Sequence, residues 1–276
     1  YAVASVCAIG GLKYNEISII VICMLISFFV HWIAFIPSYF LKTEKYYDIS
    51  GTLAYVFVTI TALLLTKSES EGILNIRSIV TITLVLIWAF RLGIFLFLRV
   101  LKVGEDRRFR EVKQKFSRFL VWWSMSALWV FLTTVNALVM IINNVPYYDD
   151  YYFFFGILIW VVGFTFEVVA DEQKRKFRLI KSNKNEFISS GLWRISRHPN
   201  YFGEILLWFG VAIMSFSSLQ DLQYLTLISP IFVYILLVYI SGIRILENQG
   251  DKKWGHLDSY KEYLKNTPML FFRIFI

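Results

Sequence analysis

Cysteine is nearly missing from this chain: 276 residues hold two, Cys7 and Cys23. Both lie in or beside the first apolar segment, which excludes a disulfide framework. Histidine occurs at 31, 198 and 256 only, too few and too scattered for a metal site. Charged residues make up 17%, against about 25% in a soluble domain. Five prolines and fourteen glycines are too few to mark linkers. No repeat, low-complexity stretch or DNA-binding pattern is present, so residues 1–276 read as one domain that takes no nucleic acid. There is no Gly-x-Gly-x-x-Gly, which excludes a Rossmann site, and no P-loop or Gly-x-Ser-x-Gly elbow.

What fills the chain is hydrocarbon. Hydrophobic residues reach 57% and the mean hydropathy is +0.58. Apolar runs of this length predict an all-α polytopic membrane protein. Seven spans are expected: Ile17–Pro37, Ile49–Thr66, Ile76–Leu101, Phe119–Ile142, Tyr152–Ala170, Tyr201–Phe216 and Tyr224–Leu246. Ser215, Ser217 and Ser218 crowd the end of the short sixth. Residues 1–12 are apolar but hold Gly10 and Gly11 and lack a basic start, so they do not read as a signal peptide. The chain begins without Met, as a truncated or processed one does.

The net charge of +8 is explained by topology. Segment 102–118 carries seven Lys/Arg against three acids, Glu105, Asp106 and Glu111. Segment 171–200 carries eight against three. Loop 143–151 has no base and holds Asp149 and Asp150. The positive-inside rule then puts both basic segments in the cytoplasm and 143–151 outside. Seven spans leave the N-terminus outside and the basic C-terminus cytoplasmic, a self-consistent parity.

The candidates for chemistry gather at the cytoplasmic ends. Glu167, Asp171, Arg175 and Arg178 are spaced four, four and three, which predicts one helical face at the end of helix five. Asp171 suits a ribose hydroxyl there, and the arginines suit phosphates through bidentate geometry. The plainer reading is a helix C-terminus with bases favourable to its dipole. Residues 190–204 place Arg194, Arg197, His198, Asn200, Tyr201 and Glu204 in an otherwise apolar chain. Pro199 suits a first helical turn, so His198-Pro199-Asn200 opens helix six, whose free N–H groups favour an anion. Glu204, one turn inside, needs a partner: Arg197, Arg194 or donors of a ligand. His198 is either a ligand contact or a helix-start residue, and Tyr201 either a contact or an interfacial aromatic. In helix three, Arg99 snorkels or contacts a ligand, while Arg91 is deep enough to need a polar cavity or a partner. Residues 244–263 form an amphipathic tail that closes over a ligand or lies on the membrane surface.

The segment Arg197-His-Pro-Asn-Tyr-Phe-Gly-Glu204 resembles the C-terminal signature of the steroid 5α-reductase superfamily, most over residues 167–276. The isoprenylcysteine carboxyl methyltransferases carry a related Arg-His-Pro element. The resemblance implies seven helices and NADPH-dependent reduction of an enone C=C bond, in a steroid or other lipid-soluble substrate with the cofactor facing the cytoplasm. It implies residues 1–118 on the substrate side, 119–276 on the cofactor side, and no obligatory protein partner besides membrane lipids. Asp171, Arg175 and Arg178 fall on the family's NADPH residues, Asn200 and Glu204 on its Asn-x-x-Gly-Glu element. Arg99 and Arg244 fall near family bases. Glu167 replaces an Asn, and Glu247-Asn248-Gln249 replace a His cluster. At the substrate end Asp48 takes the place of a catalytic Glu and Tyr47 that of its Gln, while Trp88 stands near a family Tyr. Glu44 and Tyr55 are fallback acids. The implied mechanism gives a hydride from NADPH to the enone β-carbon while Asp48, holding its proton at neutral pH, or a tyrosine beside it hydrogen-bonds the ketone, and a proton then reaches the α-carbon. The alternative is an S-adenosylmethionine-dependent membrane methyltransferase; a cofactor without phosphates leaves the arginines unexplained.

Overall fold

The computed structural model describes residues 11–103, 109–146 and 150–271, without the side chains of Val103 and Lys184. Cys7, Glu105, Asp106, Arg107, Arg108 and Asp149 lie outside the described residues. Among the described residues the fold is all-α apart from a two-residue strand pair, β1 (Lys13–Tyr14) with β2 (Ile17–Ser18), in which Lys13 faces Ser18 and Tyr14 faces Ile17. Its two-residue turn, Asn15-Glu16, has φ of 46° and 65°. Two successive left-handed residues match the twist of a tight hairpin. The first span therefore starts as helix at Ile19 rather than Ile17.

Among the described residues seven helices are long and apolar enough to cross a membrane, each overlapping one expected span. They make this a multi-pass membrane protein. The elements are α1 (Ile19–Phe40), α2 (Tyr47–Glu69), α3 (Ile76–Val103), α4 (Phe116–Asn143), α5 (Tyr151–Leu179), α6 (Pro199–Ser215), α7 (Ile228–Ile235), α8 (Ile243–Trp254) and α9 (Asp258–Asn266). The seventh span is not one continuous α-helix. A 3-10 stretch, Asp221–Leu227, leads into α7, and α7 runs into a π-helical turn, Leu236–Ile240. The chain then breaks at Ser241-Gly242. A Cβ on Gly242 would meet the Leu237 carbonyl at 2.2 Å, so only glycine permits this close turn into α8.

Two compact units make up the chain, residues 1–153 with 215–229, and residues 154–214 with 230–276. In the first, α1 to α4 pack as a bundle around Ile19, Val58, Phe131 and Leu138. Several polar groups inside it find partners within the unit. His31, fully buried, sets Nδ1 2.7 Å from the Ser27 carbonyl and Nε2 3.0 Å from Ser126 Oγ. Asn144, left-handed at φ 46°, ends α4. Its side-chain oxygen accepts from Asn75 N and Ser78 Oγ, which pins the start of α3. Nearby, Arg77 pairs with Asp150 at 2.6 Å, both 5% exposed, and donates to Ser217 Oγ. Asp150 Oδ1 also accepts from the first amides of α5, Tyr152 and Phe153.

In the second unit α5 and α6 touch through glycines. A Cβ on Gly163 would meet Leu207 N at 2.5 Å and Gly203 O at 2.7 Å; one on Gly203 would meet Glu167 N and Gly163 O, both at 2.5 Å. Gly156 and Gly210 repeat the arrangement two turns away. Small residues let membrane helices approach until backbones touch, and dispersion does the rest where no hydrophobic effect is available. This crossing sets Glu167 on α5 against Gly203 on α6, and so positions the polar groups of both.

Candidate functional site

Polar side chains of the second unit converge on the end of α5, the start of α6 and the C-terminal segment. Helix periodicity explains which face of α5 takes part. From Glu167, steps of four, seven and eleven residues stay within about 40° of one line, whereas a step of eight swings about 80° away. The inward face is thus Glu167, Asp171, Lys174 and Arg178. Arg175 turns outward, 49% exposed, and forks onto Glu172 at 2.6 and 2.8 Å. Glu167 and Asp171 are buried. Asn200 Nδ2 donates to Asp171 Oδ1 at 3.1 Å, joining α6 to α5.

The loop between them is tied down locally. Gly191, at φ 62°, turns the chain so that Leu192 N donates to Gln173 Oε1 at 2.9 Å. The Trp193 indole donates to the Ala170 carbonyl, and Lys174 sits 4.4 Å over its ring. Pro199 opens α6, as its ring and missing N–H predict. The C-terminal segment straps this loop from the other side. Tyr263 OH donates to Trp193 O, Thr267 Oγ1 to Arg194 O, and Ser196 Oγ to Leu270 O, while Arg197 N donates to Pro268 O.

Between these pieces lies a cavity of about 290 Å³. Lys174, Arg178, Arg197 and Lys253 bring four cations to it and Glu247 one carboxylate; Phe187, Trp193, Trp254, Tyr260 and Tyr263 supply aromatic walls. Arg178 reaches the Glu186 carbonyl at 3.0 Å and lies 5.8 Å over the Trp254 ring. Glu247 takes both bases of the Arg-His-Pro element: Oε2 is 2.6 Å from Arg197 Nη1, and Oε1 is 2.6 Å from His198 Nε2. His198 Nδ1 and Arg197 Nε are buried with no hydrogen-bond partner among the described residues.

Burial holds His198 below the ordinary histidine range, and Lys174 and Arg197 push the same way; Glu247 opposes them. Below pH 6.5 the unfolded chain protonates this imidazole while the folded one resists. Stability contributed by His198 is therefore lost as pH falls from 6.5 toward the folded value. At its steepest that slope is about 1.4 kcal/mol per pH unit. Chemical denaturation in detergent between pH 7 and 5 is expected to show a slope that His198→Asn reduces. An unchanged slope would place the titration elsewhere. Tyr260 is raised to about 12 by burial and the Glu247 and Asp251 carboxylates, and Tyr263 is raised by burial, so both phenols stay neutral.

Of the expected cofactor residues, Arg178, Arg197 and His198 line the cavity and Asp171, Asn200 and Glu204 are gathered next to the α5–α6 crossing. Tyr201 stacks parallel to His198 at 5.9 Å. Arg175, Arg194 and Arg244 are exposed and do not line it. Lys174, Trp193 and Glu247 line it without having been singled out as binding residues. Lys174 was findable from the sequence, since it fits the face of Glu167 and Asp171 better than Arg175 does.

The remaining candidates sit in the first unit. Tyr47 and Asp48 occupy the first turn of α2. Tyr47 OH donates to Trp122 O at 3.1 Å, and its ring packs on Phe109 and Trp123. Glu44, buried, pairs with Lys113 at 2.8 Å. Trp88 is buried edge-on against Tyr55 at 5.1 Å. Arg91 is half-buried with its guanidinium 5.3 Å over Phe95, and Arg99 is exposed.

Fold and site together define a multi-pass all-α membrane protein with a basic, aromatic-walled cavity beside its sixth span. The chain belongs to the family described as protein of unknown function (DUF1295), whose model matches residues 34–267. It is also similar to steroid 5-alpha-reductase DET2 of Gossypium hirsutum, 37% identical over 79 residues. That match covers 26% of this chain and 31% of the relative, so under a third of the relative's length is spanned. No solved structure matches the chain. The resemblance read from Arg197–Glu204 is borne out at the level of the family.

Proposed function

We propose that this protein is an NADPH-dependent membrane reductase acting on the C=C bond of a lipid-soluble enone, with a 3-oxo-Δ4 steroid as the leading substrate. The observation that carries the reading is the cavity. Four cations against one carboxylate, walled by five aromatic rings, suit a ligand that combines phosphates with a flat heterocycle. The similarity to a steroid 5-alpha-reductase supports the reaction class. The basic segments beside the cavity favour its opening on the cytoplasmic side.

The residues present fit a dinucleotide. Arg178, Lys174 and Lys253 would neutralise phosphates, Trp193, Trp254 and Phe187 would flank a base, and Asp171, oriented by Asn200, would accept from ribose hydroxyls. Bound there, NADPH supplies the hydride. Glu204 and Glu167, buried at the close α5–α6 contact, are rigid enough to hold a polar head group in one place. In the first unit the proposed proton donor is Asp48, with Tyr47 beside it. Its task is to hydrogen-bond the substrate ketone and stabilise the charge that develops on oxygen.

The test is NADPH oxidation by purified protein with a 3-oxo-Δ4 steroid, the product followed by mass. A gain of two hydrogens is expected. Arg178→Ala should weaken NADPH binding about 10- to 100-fold, the worth of one charge-assisted contact. Glu204→Ala should lose turnover. Tight NADPH binding without turnover would reject this steroid and keep the reductase class. Binding of S-adenosylmethionine without dinucleotide binding would overturn the proposal.

A further inference from the structure

The Arg-His-Pro element has the makings of an anion clamp, and an anion already sits in it. Glu247, on the first turns of α8, spans both bases with separate oxygens at 2.6 Å each. The Glu247 side chain is 22% exposed, that of Arg197 16% and that of His198 7%, so the contact is only partly open to water. All three groups line the cavity, where Lys174, Arg178 and Lys253 are the remaining cations. One further donor of the clamp, Arg197 Nε, has no hydrogen-bond partner among the described residues. Capture through Nη1 by a carboxylate leaves it unsatisfied; a phosphate, with more acceptor oxygens, is better matched to the guanidinium.

We propose that Glu247 is a specificity-determining residue: an internal carboxylate that a ligand phosphate must displace from Arg197 and His198. This rests on the dinucleotide reading above and refines it. While Glu247 holds the clamp, the cavity offers its diphosphate-suited cations but withholds two bases from any additional phosphate. Glu247 thereby weakens binding of the more heavily phosphorylated dinucleotide, NADPH, more than that of NADH. A clamp residue that competes with ligand also has an opposite effect on the free protein, because removing a partner from a half-buried ion pair destabilises it. Stability and affinity should consequently move in opposite directions, with the larger affinity gain for NADPH.

The experiment compares wild type and Glu247→Gln, both full-length in detergent. It measures dissociation constants for NADPH, NADH and inorganic pyrophosphate, and the thermal midpoint without ligand. The amide keeps the shape of the side chain and removes its charge. The expected result is a lower midpoint together with about tenfold tighter NADPH binding and a smaller gain for NADH and pyrophosphate, which carry no additional phosphate. Hydrogen exchange in α8 should rise when wild type binds NADPH, since displacement frees Glu247. A variant that loses both stability and affinity, or that gains equally for NADH and NADPH, would overturn the proposal. If neither dinucleotide binds wild type, the reductase reading fails on its own. Pyrophosphate then still decides on displacement, because an unchanged constant in Glu247→Gln excludes it.

Discussion

Gly203→Leu is expected to abolish the dinucleotide binding proposed for the second unit and to destabilise that unit by about 3 kcal/mol or more, the upper range for overpacking. The reason is geometric. Even a Cβ at this position would lie 2.5 Å from Glu167 N and Gly163 O, both backbone atoms that cannot rotate away. The helices α5 and α6 must separate to accommodate the side chain. Asn200 and Glu204 flank Gly203 on α6, and Asp171 lies one turn beyond Glu167 on α5, so separation breaks the 3.1 Å Asn200–Asp171 bond as well. Denaturant titration in detergent and NADPH binding check the two effects. The control is Gly51→Ala in α2, where a Cβ would have no atom within 4 Å. That change should stabilise by about 0.5–1 kcal/mol through helix propensity and a less flexible unfolded chain. Near-normal binding by Gly203→Leu would mean that the helices do not meet at this contact.

The second large effect is expected in the first unit. Arg77→Met should cost about 3–5 kcal/mol, because it leaves Asp150 buried without its counter-ion. The pair does more than balance charge. Asp150 caps the first amides of α5, Arg77 starts α3, and Ser217 follows α6, so three segments meet at one charged point. Adding Asp150→Asn to Arg77→Met should recover much of the loss. Asparagine keeps the oxygen that accepts from Tyr152 and Phe153 but carries no charge to strand. A single variant within about 1 kcal/mol of wild type would show that the pair is solvated rather than buried.

Much of the site was readable from residue type and spacing. His198-Pro199 opening a helix, and the gathering of bases between the fifth and sixth spans, follow from the fixed φ of proline and from the scarcity of charge in an apolar chain. Lys174 is equally readable, because on a 3.6-residue period the seventh residue after Glu167 returns nearer its face than the eighth does. Glu247 was visible only as a member of the 244–263 tail and as a departure from the resembled family. Its partners lie 49 and 50 positions away in sequence, and no periodicity connects them. The Trp193 ring, the Gln173 acceptor and the strap from Tyr263 to Leu270 were hidden for the same reason: each acts through a backbone carbonyl or amide whose position is set by another element.

The glycines mark the boundary most clearly. Gly156 and Gly163 on one span and Gly203 and Gly210 on the next share a seven-residue spacing, which is present in the sequence. That the two pairs face each other is a property of antiparallel helices brought into contact, and a spacing alone does not say which helix will be the neighbour. By itself the sequence determined that this is a multi-pass membrane protein with seven apolar spans and with bases clustered in the segments between them. Hydrophobic run length and the cost of charge in lipid leave few alternatives. Only the tertiary structure decided that four cations from α5, the following loop and α8 share one cavity, and that Glu247 already occupies part of it. Convergence of that kind depends on how elements pack, and packing depends on contacts between residues far apart in the chain.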